Sequence, residues 1–178
     1  MHRKNIALLF ILTVALIFVF SLDSFSAGKE WGKFDEGIAR AKKENKVMLV
    51  DFYADWCHWC KVMDEKTFKN KDVAKKLAAD FVTVRLNAED ANETATYKNK
   101  TYTNVELTRA FGVTGFPTIA FLDAKGEPIT LIPGYVPPET FLQILNYIDQ
   151  GCYKKNVSFE DYVKKGDCKG AKAKAKSN

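Results

Sequence analysis

The sequence lacks the signatures of several large functional classes. It contains no Walker-type phosphate loop and no internal repeat, so neither a phosphate-loop enzyme nor a repeat scaffold is indicated. Cysteine and histidine are scarce, with four cysteines and two histidines among 178 residues. A structural zinc site needs a second close pair of ligands, and Cys152 and Cys168 lie too far apart in sequence to supply one. We therefore expect no metal site of that kind.

A basic surface for nucleic acid is also missing. The net charge is +5, but residues 28–150 carry 17 Lys and Arg against 18 Asp and Glu. The excess positive charge belongs to residues 151–178, which hold 8 Lys and 3 acidic residues. A lysine-rich end of this kind is typical of a solvated terminus, so we expect no nucleic-acid partner.

The first 27 residues have the order of a secretory signal. A basic start, His2-Arg3-Lys4, precedes the apolar run Ile6–Phe20, and small residues follow at 24–27. The run is shorter than the roughly 20 residues that span a bilayer. We expect residues 1–27 to be a signal peptide that directs the protein to the periplasm or another extracytoplasmic compartment. The alternative is an uncleaved anchor, which is the only membrane association that we expect.

The rest of the chain alternates between helical and extended patterns. Its periodicity predicts helices over residues 30–45, 57–68, 72–79, 105–111 and 138–150, strands over 47–54, 81–86, 118–122 and 129–132, and a polar surface loop over 89–103. The early alternation predicts parallel strands with helices on both faces, and the tight turn at 124–126 predicts an antiparallel edge. We expect one α/β domain over residues 28–150 and a Cys-containing, Lys-rich extension over 151–178.

The segment Trp56-Cys57-His58-Trp59-Cys60-Lys61 places two cysteines one helical turn apart. Asp55 is a candidate cap for that helix. A thiolate at a helix N-terminus is stabilised and can attack a disulfide, so we expect Cys57 to be the nucleophile and Cys60 to resolve the mixed disulfide.

The residues around the cysteines have open alternatives. His58, as an imidazolium, would stabilise the Cys57 thiolate, or it is an ordinary exposed side chain. Trp56 and Trp59 are expected to form an apolar rim that receives a partner polypeptide, although core packing is an alternative for Trp56.

Asp51 and the dipeptide Phe116-Pro117 are candidates to act together with Cys57 and Cys60. Asp51 shares a strand face with apolar residues, where burial raises the pKa of a carboxyl group, and it could accept the Cys60 proton. Its alternative role is that of a structural acid. Phe116-Pro117 precedes a strand, where proline is tolerated, and a cis bond there is possible but uncommon.

Several segments resemble the thioredoxin superfamily. Residues 50–61, Val-Asp-Phe-Tyr-Ala-Asp-Trp-Cys-His-Trp-Cys-Lys, resemble its active-site strand and turn, and residues 111–118, Phe-Gly-Val-Thr-Gly-Phe-Pro-Thr, resemble its cis-proline segment. Within it, residues 53–57, 65–68, 134–135 and 139–141 are similar to the periplasmic C-terminal domain of the transmembrane electron carrier DsbD. The resemblance covers roughly residues 30–149 and implies a thioredoxin fold, with a central mixed sheet flanked by helices on both faces.

The resemblance implies a role for each site residue. Cys57 would be the nucleophile, Cys60 the resolving thiol and Asp51 the buried proton acceptor. Pro117 would be cis and pack on the disulfide, and Phe116 would offer backbone hydrogen bonds to an extended substrate. The intervening His58-Trp59 is a departure from the Gly-Pro typical of thioredoxin, so its redox potential does not transfer. The long 89–103 loop is another departure, and it could influence the choice of partner.

Rival interpretations of the cysteines differ in what they require. A c-type haem needs histidine where Lys61 stands, so haem is excluded. Copper(I) favours soft ligands, and Cys57, Cys60, His58 and Met63 lie within seven residues, so a copper chaperone stays an alternative.

The second cysteine pair is expected to have a structural role. A Cys152–Cys168 disulfide would close a loop of about 16 residues and stabilise the fold by roughly 3 kcal/mol. The alternative is a second redox pair that passes electrons to Cys57 and Cys60.

The sequence therefore predicts an exported thiol–disulfide oxidoreductase with no cofactor beyond its Cys57–Cys60 disulfide and no metal. Its expected partners are proteins with cysteines and a separate redox protein, because no membrane carrier is attached. We expect it to act as a reductant or electron relay. A disulfide-forming oxidase or isomerase is the alternative within the same chemistry.

Overall fold

A computed structural model of the chain describes residues 31–168, and the signal-peptide prediction for residues 1–27 lies outside this range. The described part contains six α-helices: α1 (Phe34–Glu44), α2 (His58–Met63), α3 (Lys71–Asp80), α4 (Asn104–Ala110), α5 (Pro138–Asp149) and α6 (Phe159–Lys165). It contains six strands: β1 (Val47–Tyr53), β2 (Phe81–Asn87), β3 (Thr94–Tyr97), β4 (Lys100–Thr103), β5 (Thr118–Leu122) and β6 (Pro128–Pro133). None of the helices in residues 31–168 is long and apolar enough to cross a membrane.

Four strands form the central mixed sheet, in the order β2-β1-β5-β6. β1 and β2 are parallel, whereas β5 runs antiparallel to β1 and β6 runs antiparallel to β5. The five central residues of β1 are all buried, because helices cover both faces of the sheet. This arrangement confirms the predicted α/β fold, its parallel early strands and its antiparallel edge.

The helices divide between the two faces. α1 contacts β2 on one face, where a side chain at Gly37 would overlap that of Val84, so the close approach requires glycine. α3 and α5 contact each other on the other face, over Leu49, Ile119 and Phe121. Both faces of the sheet thus bury apolar side chains of β1. This strand continues directly into residues 54–60, which carry Cys57 and Cys60 and are called the cysteine turn below.

The predicted loop over 89–103 was wrong in its second half. β3 and β4 pair there as an antiparallel hairpin, with Ala95 and Tyr102 facing the core. The turn places Lys98 and Asn99 at positive φ, with values of 50° and 62°. A two-residue turn with both φ values positive matches the twist of paired strands. The hairpin was not predicted because its residues are mostly polar.

Two helix predictions also needed correction. The predicted helix over 57–68 is an α-helix only to Met63 and then widens into a π-helical turn over Asp64–Phe68. The predicted helix over 30–45 begins at Phe34, and Trp31 instead packs edge-on against Phe68, with ring centroids 5.0 Å apart.

The extension after α5 is folded up to Cys168. A short 3-10 helix, Cys152–Lys155, and α6 enclose a small cluster around Val157 and Tyr162. The structure joins Cys152 to Cys168 by a disulfide, with their Cα atoms 5.3 Å apart. The sequence patterns had not predicted helices in this extension.

Candidate redox site

The cysteine pair lies where β1 turns into α2. Cys57 and Cys60 form a disulfide with Cα atoms 5.3 Å apart, and each residue is only 3% exposed. Cys57 itself is the N-terminal cap of α2, because its Sγ accepts the backbone N–H of Cys60 at 3.0 Å. The predicted cap Asp55 was therefore wrong, and its carboxylate instead accepts a hydrogen bond from Asn87 Nδ2 at 3.2 Å. The N–H at Cys57 Sγ is suited to stabilise a thiolate there.

The Pro117 segment adjoins the disulfide. The Phe116–Pro117 peptide bond is cis, Pro117 is buried, and Phe116 packs against the cluster of Ala54, Cys57 and Cys60. The Pro117 carbonyl accepts the N–H of Gly134 at 2.8 Å, which ties the start of β5 to the end of β6. The turn and the proline segment are thus brought together as the sequence predicted.

Asp51 lies on β1, the strand that leads into this turn, and it has a charged neighbour that the sequence reasoning missed. The residue is 1% exposed, and Arg85, its register partner on β2, places Nε 3.1 Å from Asp51 Oδ2. The same guanidinium donates from Nη2 to Asp64 Oδ2 at 2.8 Å. Asp64 follows α2, so Arg85 links the buried acid of β1 to the element that carries Cys60.

The environment of Arg85 holds it charged. Burial of the guanidinium works to lower its pKa, but the charge of Asp51 and then the hydrogen bond and charge of Asp64 raise its pKa overall. Its Cζ also lies 4.4 Å from the ring centroid of Tyr53 and 5.3 Å from that of Trp31. The expectation for Asp51 considered apolar burial alone, whereas the structure adds this fixed positive charge.

Aromatic side chains surround the disulfide. Trp56 is 68% exposed and Trp59 is 55% exposed, so the rim that the sequence predicted is present and core packing of Trp56 is excluded. Trp56 Nε1 donates to Glu89 Oε2 at 2.7 Å, which holds the indole in place. His58 is exposed, with its ring edge-on to Trp59 at 5.6 Å.

The four candidate copper ligands are not gathered around one point. Met63 is fully buried in the core cluster with Leu49 and Ile119, whereas the two cysteines are bonded to each other in a separate cluster. Residues 31–168 contain no group of three or more His, Cys, Asp or Glu placed to hold a metal ion. The packing of Met63 favours its role as a core residue.

The two disulfides lie at opposite ends of α5. Tyr135, just before this helix, packs on Trp59 of the cysteine turn, whereas Cys152 follows the far end. A 12-residue helix is roughly 18 Å long, so direct exchange between the two disulfides is not favoured. The position of the Cys152–Cys168 bond supports a structural role.

Sequence reasoning missed four residues of this site: Asp64, Arg85, Glu89 and Tyr135. A signal did exist for Arg85, because it is the one charged residue of the predicted strand 81–86 and lies on the same strand face as Thr83. Its pairing with Asp51 depends on the register between β1 and β2, which the pattern of a single strand does not determine.

The fold and this site together define a class. A thioredoxin fold with a Cys-x-x-Cys disulfide at the start of α2, beside a cis-proline segment, is that of the thioredoxin-like thiol–disulfide oxidoreductases. A family model described as a thioredoxin-like domain matches residues 34–149. The chain belongs to this thioredoxin-like family.

Individual relatives agree with that assignment. The chain is 36% identical over 115 residues to the thiol:disulfide interchange protein DsbD of Vibrio cholerae, covering 64% of this chain and 18% of that protein. It is 33% identical over 111 residues to the human spermatogenesis-associated protein 20, covering 61% of this chain and 13% of that protein. The chain thus spans less than a fifth of the length of these relatives.

Solved structures show the same fold. A thioredoxin-fold protein from Helicobacter pylori superposes with a TM-score of 0.58 at 28% identity, covering 68% of this chain and 80% of that one. A putative disulphide-isomerase from Bacteroides thetaiotaomicron superposes with a TM-score of 0.54 at 26% identity, covering 67% of this chain and 90% of that one.

Proposed function

We propose that the protein is an exported reductant or electron relay that exchanges electrons with the cysteines of other proteins. The observation that carries this proposal is the buried Cys57–Cys60 disulfide, with a backbone N–H directed at Cys57 Sγ. The similarity to DsbD, a thiol:disulfide interchange protein by name, supports exchange between thiols and disulfides, and the reducing direction is the part that we propose. Residues 1–27 would direct export to the periplasm and residues 28–150 would form the redox domain. Residues 151–178 would form an extension that the Cys152–Cys168 disulfide stabilises.

The reduction of a substrate disulfide would take two steps. The Cys57 thiolate attacks one substrate sulfur, a Cys57–substrate bond forms, and the other substrate sulfur leaves as a thiolate and takes up a proton. Cys60 then loses its proton and attacks Cys57 Sγ, which forms the Cys57–Cys60 bond and releases the second substrate thiolate. The substrate gains two electrons and two protons, and a separate dithiol protein returns two electrons to the pair.

Asp51 is the proposed acceptor of the Cys60 proton. It lies on the face of β1 that α2 covers, since Leu49 on that face packs in one cluster with Met63 of α2. Arg85 would hold the carboxylate in place between β2 and Asp64. Because guanidinium does not lose its proton, Arg85 positions the acceptor and does not relay protons itself.

Phe116 and Pro117 would receive the substrate backbone. Residues 114 and 115 are exposed and Phe116 is partly exposed next to the disulfide, so an extended peptide could pair with this backbone as an added strand. Trp56, His58 and Trp59, all exposed, would contact the side chains of that peptide.

The proposal is tested by trapping. The Cys57→Ser variant should show no turnover of a protein disulfide, and Cys60→Ser should accumulate mixed disulfides with its substrates through Cys57. Mass spectrometry of the trapped partners would identify the substrates. Turnover by Cys57→Ser, or trapping that persists in the Cys57→Ser/Cys60→Ser double variant, would contradict the assignment of the nucleophile.

A further inference from the structure

Two aromatic pairs flank the cysteine turn, one formed with the Pro117 segment and one with the residues just before α5. Trp56 precedes the first cysteine and packs on Phe116, with ring centroids 6.2 Å apart. Trp59 precedes the second cysteine and packs on Tyr135, with centroids 5.6 Å apart and planes inclined by 30°. We call these pairs the first wall and the second wall. The sequence analysis had linked Trp56, Trp59 and Phe116 to a partner or substrate, but it had given Tyr135 no such role.

The second wall is tied to the proline segment through the backbone. Tyr135 follows Gly134, whose N–H donates to the Pro117 carbonyl at 2.8 Å. Next to it, Val136 accepts a hydrogen bond from the buried hydroxyl of Thr67 at 2.6 Å. Trp59 therefore packs on Tyr135, and the backbone groups of Gly134 and Val136 on either side of Tyr135 are hydrogen-bonded. This arrangement fixes a large apolar surface next to the cysteine turn.

These tryptophans are unusual within the described chain. The exposed large apolar side chains of residues 31–168 are Trp56, Trp59 and Val163, and the first two both flank the cysteines. Exposed aromatic rings that are fixed in place typically mark contact surfaces, because they bury apolar area at little cost in conformational entropy. Cys57 and Cys60, which each follow one of these tryptophans, are almost buried, at 3% exposure each. A partner must therefore contact the walls in order to reach the sulfur.

We propose that the second wall, Trp59 on Tyr135, selects polypeptide substrates with an apolar side chain two residues from the reacting cysteine. In an extended segment, residues two apart point to the same face and lie roughly 7 Å apart. A cysteine directed at the disulfide thus presents its second neighbours to the walls. Small thiols such as glutathione have no side chain in that position. This inference rests on the proposed thiol–disulfide exchange and adds the class of its substrates.

Kinetics with matched substrates test the inference. Two peptides with the same intramolecular disulfide, one with Leu and one with Ser two residues from each cysteine, are compared with oxidised glutathione. The wild-type protein should prefer the Leu peptide in kcat/KM by roughly tenfold, which corresponds to about 1.4 kcal/mol. Trp59→Ala and Tyr135→Ala should remove most of that preference, and Trp59→Phe should retain part of it. Turnover of glutathione, which presents no side chain to the second wall, should fall less than turnover of the Leu peptide.

Val163→Ala is the matched control. Val163 is 44% exposed on α6, at the other end of α5 from Cys57 and Cys60, so its truncation should leave the preference unchanged. An equal kcat/KM for the two peptides in the wild-type protein would overturn the inference. So would equal losses for Leu and Ser peptides in Trp59→Ala, since these would indicate a structural effect of the substitution.

A binding measurement separates this inference from the proposed chemistry. Versions of both peptides with Ser in place of each cysteine cannot react, and their Kd for the oxidised protein is measured by calorimetry. Tighter binding of the Leu version, lost in Trp59→Ala, would support the second wall even if no turnover occurred. Equal binding of the two versions, or concentration-dependent dimers that require Trp59, would contradict it, even if exchange itself were rapid.

Discussion

At the scale of single residues, Arg85 is the centre of the charge arrangement beneath the cysteines. It contacts Asp51, which is nearly inaccessible, and Asp64, which is partly exposed, and it lies over the ring of Tyr53. A buried carboxylate is costly without an opposing charge, so the stability of the site should depend on this guanidinium.

Arg85→Met should lower the free energy of unfolding by roughly 3 kcal/mol at neutral pH, because it leaves the Asp51 charge without its cation. The loss should shrink in acid, where protonation of Asp51 removes that charge. Denaturant unfolding at several pH values measures both effects.

Arg40→Met provides the control for this substitution. Arg40 pairs with Glu44 one turn along α1 at 3.2 Å, but its side chain is 52% exposed. Its loss should cost less than about 0.5 kcal/mol. Equal losses for the two variants, or an Arg85→Met penalty that persists unchanged in acid, would contradict the role of the Asp51 contact.

The sequence was informative about the residues that carry a chemical signature of their own. Cys57, Cys60 and Asp51 stand out by type within their local pattern, and the structure joins the two cysteines just after the strand that carries Asp51. Arg85, Glu89 and Tyr135 act through partners distant in sequence, on β1, on the cysteine turn and on α2 respectively. Such pairings follow from strand register and loop placement, which the sequence alone does not specify.

At the scale of elements, the hairpin that the sequence analysis had predicted as loop leads directly into α4. Thr103, the last residue of β4, caps this helix: its Oγ1 accepts the N–H of Glu106 at 3.2 Å, and the Glu106 carboxylate accepts the N–H of Thr103 at 2.9 Å. This capping box couples the end of the hairpin to the start of the helix, which the prediction of separate loop and helix had not shown.

Thr103→Ala should therefore lower the free energy of unfolding by about 1 kcal/mol, the usual cost of losing an N-cap. Thr114→Ala, at an exposed position outside helices and strands, serves as the control and should have little effect. If both variants lost the same stability, the cap would not be the cause.

The capping box also predicts a pH dependence. The hydrogen bond from the backbone N–H of Thr103 lowers the pKa of Glu106, and this effect outweighs the opposing effect of burial. A carboxyl group with a lowered folded-state pKa contributes stability above its ordinary pKa near 4.5, and this contribution is lost as the pH falls through the folded value. Glu106→Gln should therefore unfold with a weaker acid dependence below that pH. An unchanged acid dependence would contradict the contribution of Glu106.

The order of helices and strands was predictable because β1 and β5 are strongly apolar runs, β2 alternates, and α5 begins with Pro and Glu. The end of α2 was less predictable, because the π-helical turn that follows it has no distinct apolar period. The helices of the extension were missed because their apolar residues are few and close to lysines, and their packing depends on the Cys152–Cys168 bond.

At the scale of the whole molecule, one disulfide lies at each end of α5, and the two have different surroundings. Cys57–Cys60 adjoins exposed aromatic rings, whereas Cys152–Cys168 is enclosed with Val157 and Tyr162. This separation predicts that stability and redox exchange depend on different bonds.

Replacement of both Cys152 and Cys168 by Ser should lower the free energy of unfolding by roughly 3 kcal/mol, since their bond closes a loop of 16 residues. The rate of exchange at Cys57–Cys60 should stay unchanged at temperatures where the variant is folded. A loss of exchange in the folded variant would indicate instead that electrons pass between the two pairs.

The direction of electron flow is the central claim, and the reduction potential of the Cys57–Cys60 pair tests it most directly. Equilibration of the protein with glutathione or dithiothreitol buffers, read by alkylation of the free thiols, gives this value. A reductant or relay should have a potential closer to that of thioredoxin, about −270 mV, than to that of the strong oxidant DsbA, about −120 mV. A measured value near −120 mV would contradict the account and identify the protein as an oxidant.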